Sequence, residues 1–271
     1  MSTNNTLWVL GDSFAADETF KNLNGVVRHD RWWEQLAKKL NLNVKNYAKS
    51  GTSIDYSSLM FHQIFDEIKR KDVIVLALTD VQRQWIVKDN PTVTSFRMFE
   101  KMEELGHFSK ELLNHGIFHF TESLNPEVES ASAVNFINSV SYLTLKKDVK
   151  FIILPCFNHG HDPMVEAKNI VLGKNVISPK KGQCLWTISI SEFKGKSKKL
   201  PKQVIDHRFN HLSPENHTIL ANKIYNSITT GILDLSHKDF LSDLFTASEV
   251  RKLNNTWKDK YHINKSENVK K

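Results

Sequence analysis

A chain of 271 residues with 40% apolar content is long enough for one large α/β domain carrying an appendage. Its two cysteines, Cys156 and Cys184, exclude a disulfide framework, and their spacing fits no zinc motif, so both read as packing residues. The net charge is +7, and no run approaches about 18 consecutive apolar residues, which argues against a transmembrane helix and a membrane partner.

In chain order, MSTNNT is polar and has neither a charged nor an apolar leader region, so no Sec-type signal is expected. LWVLGDSFA, residues 7–15, follows. Its apolar run reads as a buried parallel strand, Gly11 permits a sharp turn, and Asp12-Ser13 are helix-start residues. A serine there stands at the carboxyl end of a strand, where open α/β sheets place their ligands, although strand plus cap would explain the same letters. A polar loop, 16–29, leads to HDRWWEQLAKKL, 29–40, in which Trp33, Leu36, Ala37 and Leu40 share a helical stripe.

NVKNYA, 43–48, reads as the second strand, with Gly51 at the turn into a helix over 54–69. DVIVLAL, 72–78, is the third strand and ends at Thr79-Asp80. Residues 81–126 are less regular, with helical stretches stopping at Gly116, and read as an insertion over the carboxyl ends of the strands. A helix over 127–146 and a fourth strand, KFIILPC at 150–156, come next. QCLWTISI, 183–190, reads as strand or loop.

The best-marked helix is 213–231. Ser213 caps it, Pro214 fits its first position, Leu220, Ile224 and Ile228 face the core, and Gly231 stops it. Residues 232–271 change character, with one amphipathic stretch (Phe240, Leu241, Leu244, Phe245, Val250, Leu253) read as a helix before a Lys/Asn-rich tail. The domain division expected is therefore 1–231 and a helical extension, 232–271. Alternating strands and helices with short turns imply a parallel sheet covered on both faces, with strand order 2-1-3-4 and room for a fifth strand beyond.

Charge is unevenly spread. Residues 168–202 hold nine lysines against one acid, Glu192, leaving the remainder near neutral. Such a segment attracts polyanions, or else only aids solubility. Lysines without interleaved aromatics give no base readout, so nucleic acid is not the expected partner.

Four separated pieces line up in order: GDS at 11–13, Gly51, LTD at 78–80 and DHRFNHLSPENH at 206–217. Over roughly residues 6–230 this resembles the SGNH (GDSL-type) hydrolase family. The resemblance implies a flavodoxin-like three-layer α/β/α sandwich and a serine esterase or deacetylase acting on O-acylated, chiefly O-acetylated, carbohydrate. By position it makes Ser13 the nucleophile, His211 the general base and Asp206 the residue that orients it. The oxyanion hole would be formed by Ser13, Gly51 and Thr79. A serine hydroxyl needs a neighbour that removes its proton, and neutral imidazole does so near neutral pH.

Two departures stand out. Thr79 replaces the usual Asn of the third block. The position three before His211, normally the acid, is Arg208, and the nearest acid is Asp206, five before. His207 is an alternative base, closer to Asp206 but with no Leu-Ser-Pro helix start behind it. Asp12 reads as a turn residue bracing the loop. Asp80, Arg83 and Arg208 are candidates for contacting substrate, with capping or packing as the alternatives for Asp80 and Arg83.

His159 and His161 look like a metal pair but have no third ligand at motif spacing, so no metal or organic cofactor is expected. The lysine segment tilts the substrate expectation towards an acidic glycan. The DHRFNHLSPENH loop and the WW-containing helix also resemble SGNH-like proteins encoded by bacteriophages. That implies a cytoplasmic or virion-associated location and, as the other reading, a catalytically weak attachment protein whose C-terminal extension docks a protein partner.

Overall fold

The computed structural model describes residues 5–17, 30–157, 171–194 and 209–246. Its centre is a parallel five-stranded sheet of order β2-β1-β3-β4-β5, formed by β1 (Thr6–Gly11), β2 (Asn43–Asn46), β3 (Val73–Leu78), β4 (Lys150–Pro155) and β5 (Val176–Ile177). The chain steps from β1 to one side for β2, then back across β1 for β3. This is the flavodoxin-like order, and its reversal opens a crevice beyond the carboxyl ends of β1 and β3.

Strand residues alternate between two apolar clusters because successive side chains point to opposite faces. Leu7, Val9, Val75, Ala77, Ile152 and Leu154 meet α1 (Trp32–Leu40), α6 (Leu185–Ser191) and α7 (Pro214–Thr230) on one face. Trp8, Leu10, Ile74, Leu76, Phe151 and Ile153 meet α2 (Ile54–Ile64) and α5 (Pro126–Lys146) on the other. Burial on both faces is why these strands read as continuous apolar runs. The result is a three-layer α/β/α sandwich.

Helix ends follow their local chemistry. The Ser213 side chain accepts from the Asn216 N–H, Pro214 opens α7, and Gly231 ends it in the left-handed region at φ 73°. Asn125 caps α5 in the same way, with Pro126 behind it. At the amino end of the sheet, the buried Asp72 carboxylate accepts from Thr6 N (2.9 Å), Trp8 Nε1 (2.8 Å), Lys69 N (2.9 Å) and Asn5 Nδ2 (3.1 Å). It pins the start of β1 to β3.

Three expectations are corrected. Residues 183–190 form helix rather than strand or loop. Cys184, Leu185 and Ile188 recur at helical spacing on the core, and the place beside β4 is taken by Val176–Ile177. The helix expected to stop at Gly116 runs through it as α4 (Lys110–Phe118). There the glycine admits the Phe99 ring of α3 (Phe96–Glu104), since a Cβ would lie 2.4 Å from Phe99 Cδ1. Residues 240–246 are not helical. Phe245 bridges Phe193, while Leu233, Leu235 and Phe240 fill the core of the main sheet. Val250, Leu253 and the lysine-rich tail lie outside the described residues. Among the described residues, no helix is long and apolar enough to cross a membrane.

Candidate active site

The crevice is built from four chain segments. β1 ends at Gly11, which adopts φ 130° and lies so close to β3 that a Cβ would stand 2.3 Å from Ala77 O. Only glycine lets the strand end turn out there. The turn that follows is held by Asp12, whose Oδ1 accepts from Phe14 N at 3.1 Å while its carbonyl accepts from Ala15 N at 3.0 Å.

The four carbonyls from Ser13 to Ala16 are then each taken by a side-chain donor. Asn210 Nδ2 reaches Ser13 O (2.7 Å) and Ala16 O (3.0 Å), Trp32 Nε1 reaches Phe14 O (2.9 Å), and Asn46 Nδ2 reaches Ala15 O (2.7 Å). Buried carbonyls require partners, and these partners come from three separate elements.

His211 Nε2 lies 2.8 Å from Ser13 Oγ. A positive-φ pair just before α7, Asn210 at 47° and His211 at 61°, turns the imidazole towards the serine. The Phe14 ring lies 4.8 Å from the imidazole, centroid to centroid, at 49°. Behind this turn sits Glu192, fully buried at the end of α6. Its carboxylate accepts from Ser213 N (2.9 and 3.1 Å) and Asn216 Nδ2 (2.5 Å). Asn216 in turn exchanges two bonds with the Leu241 backbone. α7 is also fastened to α1, where Trp32 N donates to the buried His217 Nδ1 at 3.2 Å.

Gly51 lies in the β2–α2 turn at φ 79°, and the Thr94 hydroxyl donates to its carbonyl at 2.5 Å. Thr52 Oγ1 and Lys49 N both donate to Gly11 O, which ties this turn to the end of β1. The backbone N–H groups of Ser13 and Gly51 make no hydrogen bond among the described residues. The segment after β3 covers Gly51: a Cβ there would meet Thr92 O at 2.9 Å and Met98 Cε at 3.0 Å. Trp85 of that segment stacks edgewise on Tyr56, with centroids 6.1 Å apart.

Thr79, the expected third oxyanion donor, is directed elsewhere. Its Oγ1 donates to Asp12 Oδ2 at 2.9 Å, and a hydroxyl has one proton to give. The same carboxylate oxygen faces Arg83 Nη1 at 3.3 Å, and the Arg83 guanidinium lies 5.0 Å over the Phe157 ring. Asp80 Oδ1 accepts from Gln82 N and Asp80 O from Arg83 N, so this residue shapes the turn that presents Arg83. Cys156 packs in the core beside Asp12. Burial, and after it the Asp12 charge, pushes its thiol well above the ordinary range.

Asp206, His207 and Arg208 lie outside the described residues, as do His159 and His161. Of the nine lysines in 168–202, Lys174, Lys180, Lys181 and Lys194 are described, and all four are exposed. Asn210 and Asn46 were not singled out from the sequence, and Glu192 stood out there only as the one acid of the lysine-rich segment.

No protein-family model and no curated protein matches the chain. Among solved structures it is similar to a family two carbohydrate esterase from Cellvibrio japonicus, at 11% identity and a TM-score of 0.40 over 83% of this chain and 61% of that one. It is also similar to the psychrotrophic esterase EstA from Pseudoalteromonas sp., at 12% identity and a TM-score of 0.39 over 84% of this chain and 98% of that one. A carbohydrate esterase family 2 enzyme with a carbohydrate-binding domain from Corynascus thermopiles gives 12% identity and a TM-score of 0.36, with 66% of this chain and 57% of that one covered. The chain thus spans less than two thirds of the length of either carbohydrate esterase.

Proposed function

We propose that the protein is a serine esterase of the SGNH type that removes O-acyl groups, O-acetyl foremost, from a carbohydrate. The observation that carries this is the 2.8 Å contact between His211 Nε2 and Ser13 Oγ at the carboxyl end of the first strand. A base within hydrogen-bond reach is what a serine nucleophile requires. Ser13 Oγ bonds to the acyl carbon as its proton passes to His211 Nε2. The carbonyl π pair moves onto oxygen, where the unengaged N–H groups of Ser13 and Gly51 are the donors proposed to receive it. Collapse reforms the carbonyl, expels the alcohol oxygen and returns the proton to it. Water then repeats the sequence on the acyl-enzyme. Asp206 is proposed to orient His211 through Nδ1, with Arg208 turned away or touching substrate. Exposed Lys174, Lys180, Lys181 and Lys194 support an acidic glycan as the alcohol component.

A second reading, an attachment protein that keeps the fold without efficient turnover, is favoured by one observation: the Thr79 proton is committed to Asp12. Hydrolysis of 4-nitrophenyl acetate by wild type and Ser13→Ala separates the two. Turnover that disappears in Ser13→Ala supports the esterase. Equal inertness of both proteins towards a panel of aryl and sugar acetates supports the attachment reading.

A further inference from the structure

Thr79 occupies the place of a side-chain oxyanion donor but has no proton left for the task, because its hydroxyl donates to Asp12 Oδ2 at 2.9 Å. Arg83 shares that acceptor oxygen. Guanidinium carries five N–H donors, and only Nη1 meets a protein acceptor among the described residues, at 3.3 Å. Its side chain is 18% exposed, so a substrate can reach it, yet it is fixed. Asp12 holds one edge, the Phe157 ring lies 5.0 Å beneath, and the Arg83 N–H closes a turn onto Asp80 O at 3.1 Å.

Phe157 leads back to the dyad. Its ring meets Phe14 edge-on at 5.7 Å, and Phe14 lies 4.8 Å from His211. Asp12, the anchor of Arg83, is the residue before Ser13.

We infer that Arg83 supplies the side-chain donor to the oxyanion that Thr79 does not. This rests on the esterase reading above. When Ser13 Oγ bonds to the acyl carbon, the electron pair leaving the carbonyl π bond settles on oxygen, and an unengaged Arg83 N–H donates to it. Arg83 neither gains nor loses a proton, since guanidinium stays charged throughout. The Asp12 carboxylate offsets its charge in the resting site and aims the fork. The arrangement also accounts for the burial of Asp12, which gathers Phe14 N, Thr79 Oγ1 and Arg83 Nη1 on its two oxygens.

The test compares wild type, Arg83→Met, Arg83→Lys and Arg83→Gly in kcat and KM on 4-nitrophenyl acetate, and in the rate at which a 4-nitrophenyl phosphonate phosphonylates Ser13 with release of 4-nitrophenolate. Arg83→Met should lower kcat and the phosphonylation rate by about 10²–10³-fold, the loss typical of one such donor, with KM within about threefold. Arg83→Lys keeps the ion pair with Asp12 and the fold but loses the fork, and should lower kcat at least about tenfold. Added guanidinium ion should restore part of kcat in Arg83→Gly, whereas methylammonium, which pairs with Asp12 but lacks the fork, should not; equal rescue by both counts against the inference. Unchanged kcat in Arg83→Lys, or a rise in KM alone, overturns the inference while leaving the esterase reading in place. Wild type inert to both the acetate and the phosphonate overturns the esterase reading, and the inference with it.

Discussion

Replacing Glu192 with alanine tests whether the buried carboxylate holds the His211 turn. Its oxygens accept from Ser213 N and from Asn216 Nδ2, and both donors are buried with it. Alanine leaves the two donors without that acceptor, at about 1–3 kcal/mol each. Part of this is offset because the carboxylate's own desolvation cost disappears, so the net loss should be about 2–4 kcal/mol. In a chain of this size that lowers Tm by roughly 5–15 °C. The rate of Ser13 phosphonylation should fall with it. Asn210 and His211 both sit at positive φ, a conformation costing about 1–2 kcal/mol per residue, and it persists only while the start of α7 is anchored. Glu192→Gln keeps one acceptor oxygen and should lose about half as much. Thermal unfolding followed by circular dichroism, with the phosphonate rate measured well below Tm, gives both readings. An unchanged Tm and an unchanged rate in Glu192→Ala would refute the reasoning.

Asp72→Ala should cost about 2–6 kcal/mol in urea unfolding, because Thr6 N and Trp8 Nε1 lose their acceptor in the core. Turnover per folded molecule should be unaffected, since Asp72 lies at the amino end of the sheet and Ser13 follows its carboxyl end. Cys156 and Cys184 are both buried, and burial pushes the Cys156 thiol up. A thiolate-selective reagent at pH 8 should therefore leave both unlabelled in the folded protein and label both in guanidinium chloride.

The sheet was legible because each central strand is buried on both faces and so appears as an uninterrupted apolar run, and because Ser213-Pro214 and Gly231 mark α7 with local chemistry. Ser13, Gly51 and His211 were legible as short motifs at strand and helix ends. What held them was not. Asn210 reaches Ser13 O across 197 residues, and Glu192 reaches Ser213 N across 21. A bond from a side chain to a distant backbone group leaves no periodicity and no spacing to find. Residues 183–190 misled because Trp, Thr and Ile favour strands, while the sheet had room beside β4 only for Val176–Ile177. At Thr79 the motif gave the position and could not give the direction of one proton, which depends on Asp12 lying within 2.9 Å.

Asn210 adjoins His211 and is hydrogen-bonded to the main chain of the very turn that carries Ser13. Ser13 and His211, 198 residues apart, are therefore tied to each other both directly and through Asn210. During synthesis the turn bearing Ser13 emerges before Asn46 and Asn210, with three of its carbonyl contacts still awaiting them. It is completed only when α7 docks on α1 through His217 and Trp32. A closure of such long sequence separation comes late in folding. On the esterase reading proposed above, reactivity of Ser13 towards a phosphonate should then mark finished folding: partly synthesised or partly refolded chains should contain the sheet and still have an unreactive serine.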